Sequence, residues 1–185
     1  MTSPAAPSSD TPAQAWAHRE GLVHMQPLGA AAASWTPEAV VARLQIAETF
    51  YRFAIGHDEA RIDVLESCFA AEGVLQVAQG HAEPFTTHRG RAAVGAALGH
   101  VIGQQDDQRR HLISNIVLER LEGTRAHALA YGLVSAVGPG YGLRLGASVI
   151  YVADLVREPD GCWRFSKFFI GMDAYAGDKP VPAGP

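Results

Sequence analysis

"HLISNIVLERLE" (His111–Glu122) and "RAHALAYGLVSAVG" (Arg125–Gly138) follow one another with a link of only two residues. Both are rich in β-branched residues and carry a period of two, the spacing that sends successive side chains to opposite faces of a strand. "RLGASVIYVADLVRE" (144–158) and "CWRFSKFFIGMDA" (162–174) continue the pattern, with "PGYG" and "EPDG" between the runs. The last link ends in the Asp-Gly pair that tight hairpins favour, so the four runs are expected to pair sequentially and antiparallel.

Upstream the period is helical. "SWTPEAVVARLQIAETFYRFAIGHD" (34–58) opens with Thr36 as a helix cap, Pro37 at the first helical position and Glu38 at the positive end of the dipole. Val40, Leu44, Ala47, Tyr51 and Ile55 recur at helical spacing and predict one buried stripe, with Gly56 ending the helix. "EARIDVLESCFA" (59–70) predicts a second short helix burying Ile62, Leu65 and Phe69, and "GVLQVAQ" (73–79) a strand. "QGHAEPFTTHRGR" (79–91) reads as loop, and "RGRAAVGAALGHVIGQQ" (89–105) as a third helix weakened by Gly95 and Gly99. Helices first and a meander after make an α+β domain. The helices pack on one face of a curved, antiparallel-rich sheet, which leaves a cone-shaped apolar cavity.

Composition narrows the function classes. A chain of 185 residues with 48% hydrophobic content holds one ordinary domain and a real core. That domain is expected over 36–175, with a leader or packing arm over 1–35 and a loose tail over 176–185. A formal charge of −4 gives no electrostatic footprint for nucleic acid. No apolar run is long enough to span a bilayer and no secretory signal opens the chain, so a cytoplasmic protein without a membrane partner is expected. Cys68 and Cys162 have neither disulfide-framework nor metal-knuckle spacing. The histidines form no HxH or HExxH arrangement, and the glycine-rich "GPGYGLRLG" matches no phosphate motif. No metal and no cofactor are therefore expected.

Two polar residues stand out within this apolar frame. Asp58 falls where the first helix runs out, seven residues after Tyr51 and directly after His57. It can face inward with Tyr51, or it can cap the second helix through "DEAR". His111 sits where the chain enters the first long strand, with Ile113, Asn115 and Val117 on its face and Leu112, Ser114, Ile116 and Leu118 on the other. Spacing alone leaves His111 either an ordinary strand residue or a base.

"YRFAIGHDEARIDVLESCFAAEGVL", then "RRHLISNIVLE", then "DGCWRFSKFFIGM", in that order and at those distances, resembles the SnoaL-like branch of the nuclear transport factor 2-like superfamily, among relatives of scytalone dehydratase and hexachlorocyclohexane dehydrochlorinase. The resemblance covers roughly residues 36 to 175 and implies a cystatin-like α+β roll. It also implies a hydrogen bond from an Asp at the end of the first helix to a His at the start of a long strand, roles that fall on Asp58 and His111. A carboxylate in that place fixes the imidazole tautomer and leaves the other ring nitrogen free to take a proton. Departures are informative: Phe53 stands where the dehydrochlorinase has a lysine, and His57 replaces one of the two carbonyl-polarising tyrosines of scytalone dehydratase. Tyr51, His57, Asn115 and Tyr131 are then candidates for holding a substrate oxygen, with Phe53, Phe168, Phe169, Ile170 and Met172 as candidate walls. The implied activity is a cofactor-independent lyase or isomerase acting on a mostly apolar small molecule. Polyketide-type cyclisation and a non-catalytic binding or assembly module are the alternatives. Relatives commonly form dimers or trimers through the outer sheet face, so a homo-oligomer is expected.

Overall fold

The computed structural model describes residues 25, 27, 35–80 and 83–173. The leader expected over 1–35, apart from Met25, Pro27 and Trp35, lies outside the described residues, as do the tail over 176–185, His18, His24 and His81. Three helices, α1 (Pro37–Asp58), α2 (Ile62–Ser67) and α3 (Arg91–Ile102), accompany six strands. The strands are β1 (Phe69–Gln79), β2 (Thr86–Arg89), β3 (Gln108–Glu122), β4 (Arg125–Gly138), β5 (Tyr141–Arg157) and β6 (Trp163–Met172). They form one sheet in the order β2-β1-β6-β5-β4-β3.

The α+β expectation holds, and the four long runs pair in sequence as antiparallel neighbours. Gly123, Gly140 and Gly161 supply the positive φ that the three tight links require. Two features go beyond the sequence reading. β1 joins β6 in parallel, and the stretch read as loop contains β2, which pairs antiparallel with β1.

Thr36 caps α1 as expected, its hydroxyl accepting from the Ala39 N–H at 3.2 Å. The buried stripe differs from the expected one. Ala42, Ile46, Phe50, Phe53, Ala54 and His57 face the sheet, whereas Val40, Leu44, Tyr51 and Ile55 are exposed. Both stripes are apolar, and the one carrying two phenylalanines buries the larger area. Gly56 does not end the helix: a Cβ there would lie 3.2 Å from Val64 Cγ1, so it is the contact point of α1 with α2. Thr49 ties the same face to the sheet by donating its hydroxyl to the Trp163 carbonyl at 2.9 Å.

Between α1 and the sheet lies an aromatic core. Phe165 and Phe168 stack with ring centroids 4.2 Å apart, Tyr151 stacks on Phe168, and Phe53 meets Phe69, Tyr151, Phe165 and Phe168 edge-on. Ser166 is skipped in the pairing where the β5–β6 register shifts, so Phe165 and Phe168 share a face although three residues apart. A smaller cluster, Ala78, Leu129, Ile150, Val152 and Phe169, lies on the opposite face. No helix among the described residues is long and apolar enough to cross a membrane.

The β1–β6 pairing depends on Gly73, where a Cβ would stand 2.8 Å from the Phe165 carbonyl oxygen and 3.0 Å from that of Ala70. Gly73→Ala is expected to cost about 1–3 kcal/mol in urea unfolding, because backbone rather than a movable side chain is in the way. Unchanged stability would contradict this account of the junction.

Candidate active site

The last turn of α1 and the first residues of β3 meet at the edge of the aromatic core. His111 donates its backbone N–H to Asp58 Oδ2 at 2.9 Å, and its ring Nδ1 lies 2.5 Å from Asp58 Oδ1. Both carboxylate oxygens are thus engaged by one residue. The Asp58 and His111 side chains are only 5% and 11% exposed. Asp58 does not cap α2: the residue at that cap is Arg61, and no side chain bonds the helix start. Gln108 adds a second tie by donating from Nε2 to the Asp58 carbonyl at 3.3 Å.

His57 completes the group. Its ring centroid lies 4.5 Å from that of His111 and 6.5 Å from that of Phe53. Burial, assisted by unfavourable electrostatics from the neighbouring His111 and Arg109 and opposed by Asp58, lowers its pKa from 6.5 to about 4. His57 is therefore neutral at physiological pH and carries one N–H donor. Its Nδ1 is buried without a hydrogen-bond partner among the described residues.

Tyr151 is the site residue that sequence reasoning missed. It is buried, and its ring lies over Gly132 of the neighbouring strand, where a Cβ would stand 2.5 Å from Cε2 and 3.0 Å from the hydroxyl. Burial and the Asp58 charge raise its pKa, so the phenol stays protonated. "SVIYVADL" offered no signal for it, because apolar residues on both faces erase the alternation that would have oriented it.

Several candidates do not reach His111. Tyr51 is 46% exposed on the outer side of α1, and Tyr131 is 54% exposed on the outer sheet face. Phe169 is buried, but in the opposite-face cluster. Asn115 has φ 52° and sits where the β3–β4 register skips from Ser114 to Val117. That bulge breaks the expected alternation, leaving Asn115 exposed and turning Ile116 toward the core. Phe53 is a core residue that also walls His57, and Met172 and Ile170 pack on the same core face.

A second His–Asp contact shows what burial adds. His127 Nδ1 lies 2.8 Å from Asp154 Oδ1 across β4 and β5, but the Asp154 side chain is 46% exposed. Water competes for that carboxylate and not for Asp58. Among the described residues His57, Asp58 and His111 form the one grouping of three potential metal ligands, their atoms within 4.8 Å of one another. Sequence spacing did not reveal it, since His111 joins the other two through the fold. Each oxygen of Asp58 already accepts from His111, so the carboxylate is committed to orienting the ring.

The comparisons with known proteins bear on the family and the fold. The SnoaL-like domain family matches residues 31–168. Similar solved structures include ActVI-ORFA from Streptomyces coelicolor, 20% identical with a TM-score of 0.62 over 71% of this chain and 98% of that one. A candidate scytalone dehydratase from Novosphingobium aromaticivorans is 19% identical, with a TM-score of 0.63 over 79% of this chain and 93% of that one. The β subunit of a candidate aromatic-ring-hydroxylating dioxygenase from the same organism is 18% identical, with a TM-score of 0.65 over 74% and 92%. At these identities the likeness is one of fold, the nuclear transport factor 2-like roll. No curated protein matches the chain.

The buried His57 makes stability depend on pH with a definite sign. Below about pH 6.5 the unfolded chain takes up a proton at this residue that the folded chain refuses until about pH 4, so stability falls as pH drops through that window. The contribution is on the order of 3 kcal/mol. Urea unfolding from pH 7 to pH 4 is expected to show a steeper loss for the native chain than for His57→Gln, and identical slopes would contradict the placement of His57.

Proposed function

This chain belongs to the SnoaL-like domain family, and from that membership and the clamp on His111 we propose that it is a cofactor-independent acid/base enzyme. In this reading it removes a proton next to a carbonyl or similar activating group of a mostly apolar small molecule. The observation that carries the proposal is the bidentate use of Asp58, which holds both the backbone and ring Nδ1 of His111 and leaves Nε2 as the free basic nitrogen.

The chemistry follows from the groups present. His111 Nε2 takes the proton from carbon, the C–H electron pair becomes part of an enolate, and Asp58 stabilises the imidazolium. In this reading His57 and Tyr151, both neutral donors, hydrogen-bond the oxygen on which negative charge develops. In a dehydration, the imidazolium returns the proton to the departing hydroxyl as water and a double bond forms. In an isomerisation the proton returns to another carbon. A polyketide-type cyclisation would use the same base to raise a carbon nucleophile.

The test is a panel of β-hydroxy aryl ketones assayed for water loss, with deuterium exchange at the α-carbon of an enolisable bicyclic ketone as a substrate-independent readout. His111→Ala and Asp58→Asn are each expected to lower the rate by about 10²- to 10⁴-fold with the fold retained. Tyr151→Phe should lower kcat by about 10- to 10³-fold with little change in KM. Full activity in either dyad variant would reject the assignment.

A non-catalytic assembly role is the competing reading, favoured by the exposed apolar outer face of the sheet. Leu112, Tyr131, Leu133 and Leu145 lie there on neighbouring strands, Leu112 opposite Leu133. We assign this face to homo-oligomer contact, which is compatible with catalysis in the cone. Light scattering on the native chain should give a dimer or trimer and on Leu133→Asp a monomer; a monomeric native chain would remove the assignment.

A further inference from the structure

A second cluster of charges lies one row from the dyad. Arg109 precedes His111 by two residues on β3, with no register shift between them, so both side chains point to the same face. Across the sheet Arg109 pairs with Ala136 of β4, and Ala136 pairs with Arg144 of β5. The next row is His111, Val134 and Ala147. The two arginines therefore straddle an alanine too small to separate them, roughly 7 Å along the strands from the dyad's row.

Their partners leave charge and donors to spare. Arg109 Nε donates to Asp107 Oδ1 at 2.8 Å, and Arg144 Nη2 lies 3.8 Å from Asp107 Oδ2. The Tyr141 hydroxyl donates to the same carboxylate at 2.8 Å, accepts from Arg144 Nη2 at 3.3 Å, and its ring carries the Arg144 guanidinium at 4.0 Å. Two guanidiniums thus share one carboxylate, and the cluster keeps one positive charge. Asp107 is itself nearly buried, which raises its pKa, but the hydrogen bonds from Arg109 and Tyr141 and the two guanidinium charges together outweigh burial and hold it below the usual carboxylate value, so it stays ionised. Among the described residues neither terminal nitrogen of Arg109 makes a hydrogen bond within the cluster or with Asp58, and Arg144 Nε is buried with no partner. Both arginines are about one-third exposed, so a ligand can reach them.

We propose that Arg109 and Arg144 form an anion subsite beside the dyad, and that the substrate is an apolar small molecule carrying a carboxylate. The two terminal nitrogens of Arg109 donate to that carboxylate in a bidentate pair, Arg144 closes on it from β5, and Tyr141 with Asp107 holds both guanidiniums in place. Anchoring the anion one row away puts the apolar body and its acidic C–H over His111 Nε2. This inference rests on the acid/base reading of the dyad, and its test requires no turnover.

The probes are 2-naphthoate and 2-naphthamide, matched in shape and different in charge, titrated calorimetrically at low ionic strength. The native chain should bind the carboxylate at least about tenfold more tightly than the amide. Arg109→Gln and Arg144→Gln should each remove most of that preference while leaving the amide affinity unchanged, which also certifies the fold of each variant. Arg144→Lys should keep a preference within a few fold of the native one, and His111→Ala should keep all of it. Equal affinity of the native chain for the two probes, no saturable naphthoate binding to millimolar concentration, a preference untouched by both glutamine variants, or a parallel loss of both probes would each overturn the subsite. Retained anion selectivity in a chain with an inert dyad would sink only the catalytic reading.

Discussion

The buried carboxylate of Asp58 is the constraint on which the site depends. It lies at the C-terminal end of a 22-residue helix, the negative end of the helix dipole, where an acid is disfavoured by about 0.3–1 kcal/mol before burial is counted. Burying a charge costs several kcal/mol more unless hydrogen bonds replace the lost water. His111 supplies that replacement twice, through its backbone and its ring. The interaction joins the end of α1 to the start of β3, two segments 53 residues apart in the chain. It fixes where the helix stops on the sheet and which way the imidazole points. An apolar residue of similar size would join the two segments more cheaply, so the charge at Asp58 is the feature that the proposed acid/base role accounts for.

The rest of the fold packs small and aromatic side chains on the face of the sheet that carries this pair. Ala126, Ala128, Ala130 and Gly132 give β4 an inner face of small side chains, and Tyr151 lies over the glycine. The stacked rings of Phe165, Phe168 and Tyr151 set the depth of the core, while Phe53 bridges that stack to His57. Aromatic packing therefore does two things at once. It supplies the apolar area that stabilises the domain, and it keeps His57 and Tyr151 neutral, so that each remains a donor.

Much of this was legible in the sequence where local chemistry decides the outcome. Thr36 and Pro37 marked the start of α1, glycines marked the hairpins, and the period of two marked β3 to β6. The partnership of Asp58 and His111 was legible only through resemblance, because no spacing rule links residues that far apart. The buried face of α1 was misread because Val40, Leu44, Tyr51 and Ile55 form a second apolar stripe, and only packing selects between the two. The bulge at Asn115 reversed the faces of Ile116 to Leu118, and a second register shift between Leu118 and Arg120 restored the original parity for Leu121. The parallel β1–β6 pair and Tyr151 were hidden for a shared reason: strands covered on both faces lose the alternation by which they are read.

The central claim is that Asp58 holds His111 in one tautomer, with the proton on Nδ1 and a lone pair on Nε2. Long-range proton–nitrogen correlation spectra of the ¹⁵N-histidine-labelled protein read this directly. The account predicts that neutral His111 is the Nδ1–H tautomer in the native chain and loses that preference in Asp58→Asn. An Nε2–H tautomer in the native chain, or no change on removing the Asp58 charge, would contradict it.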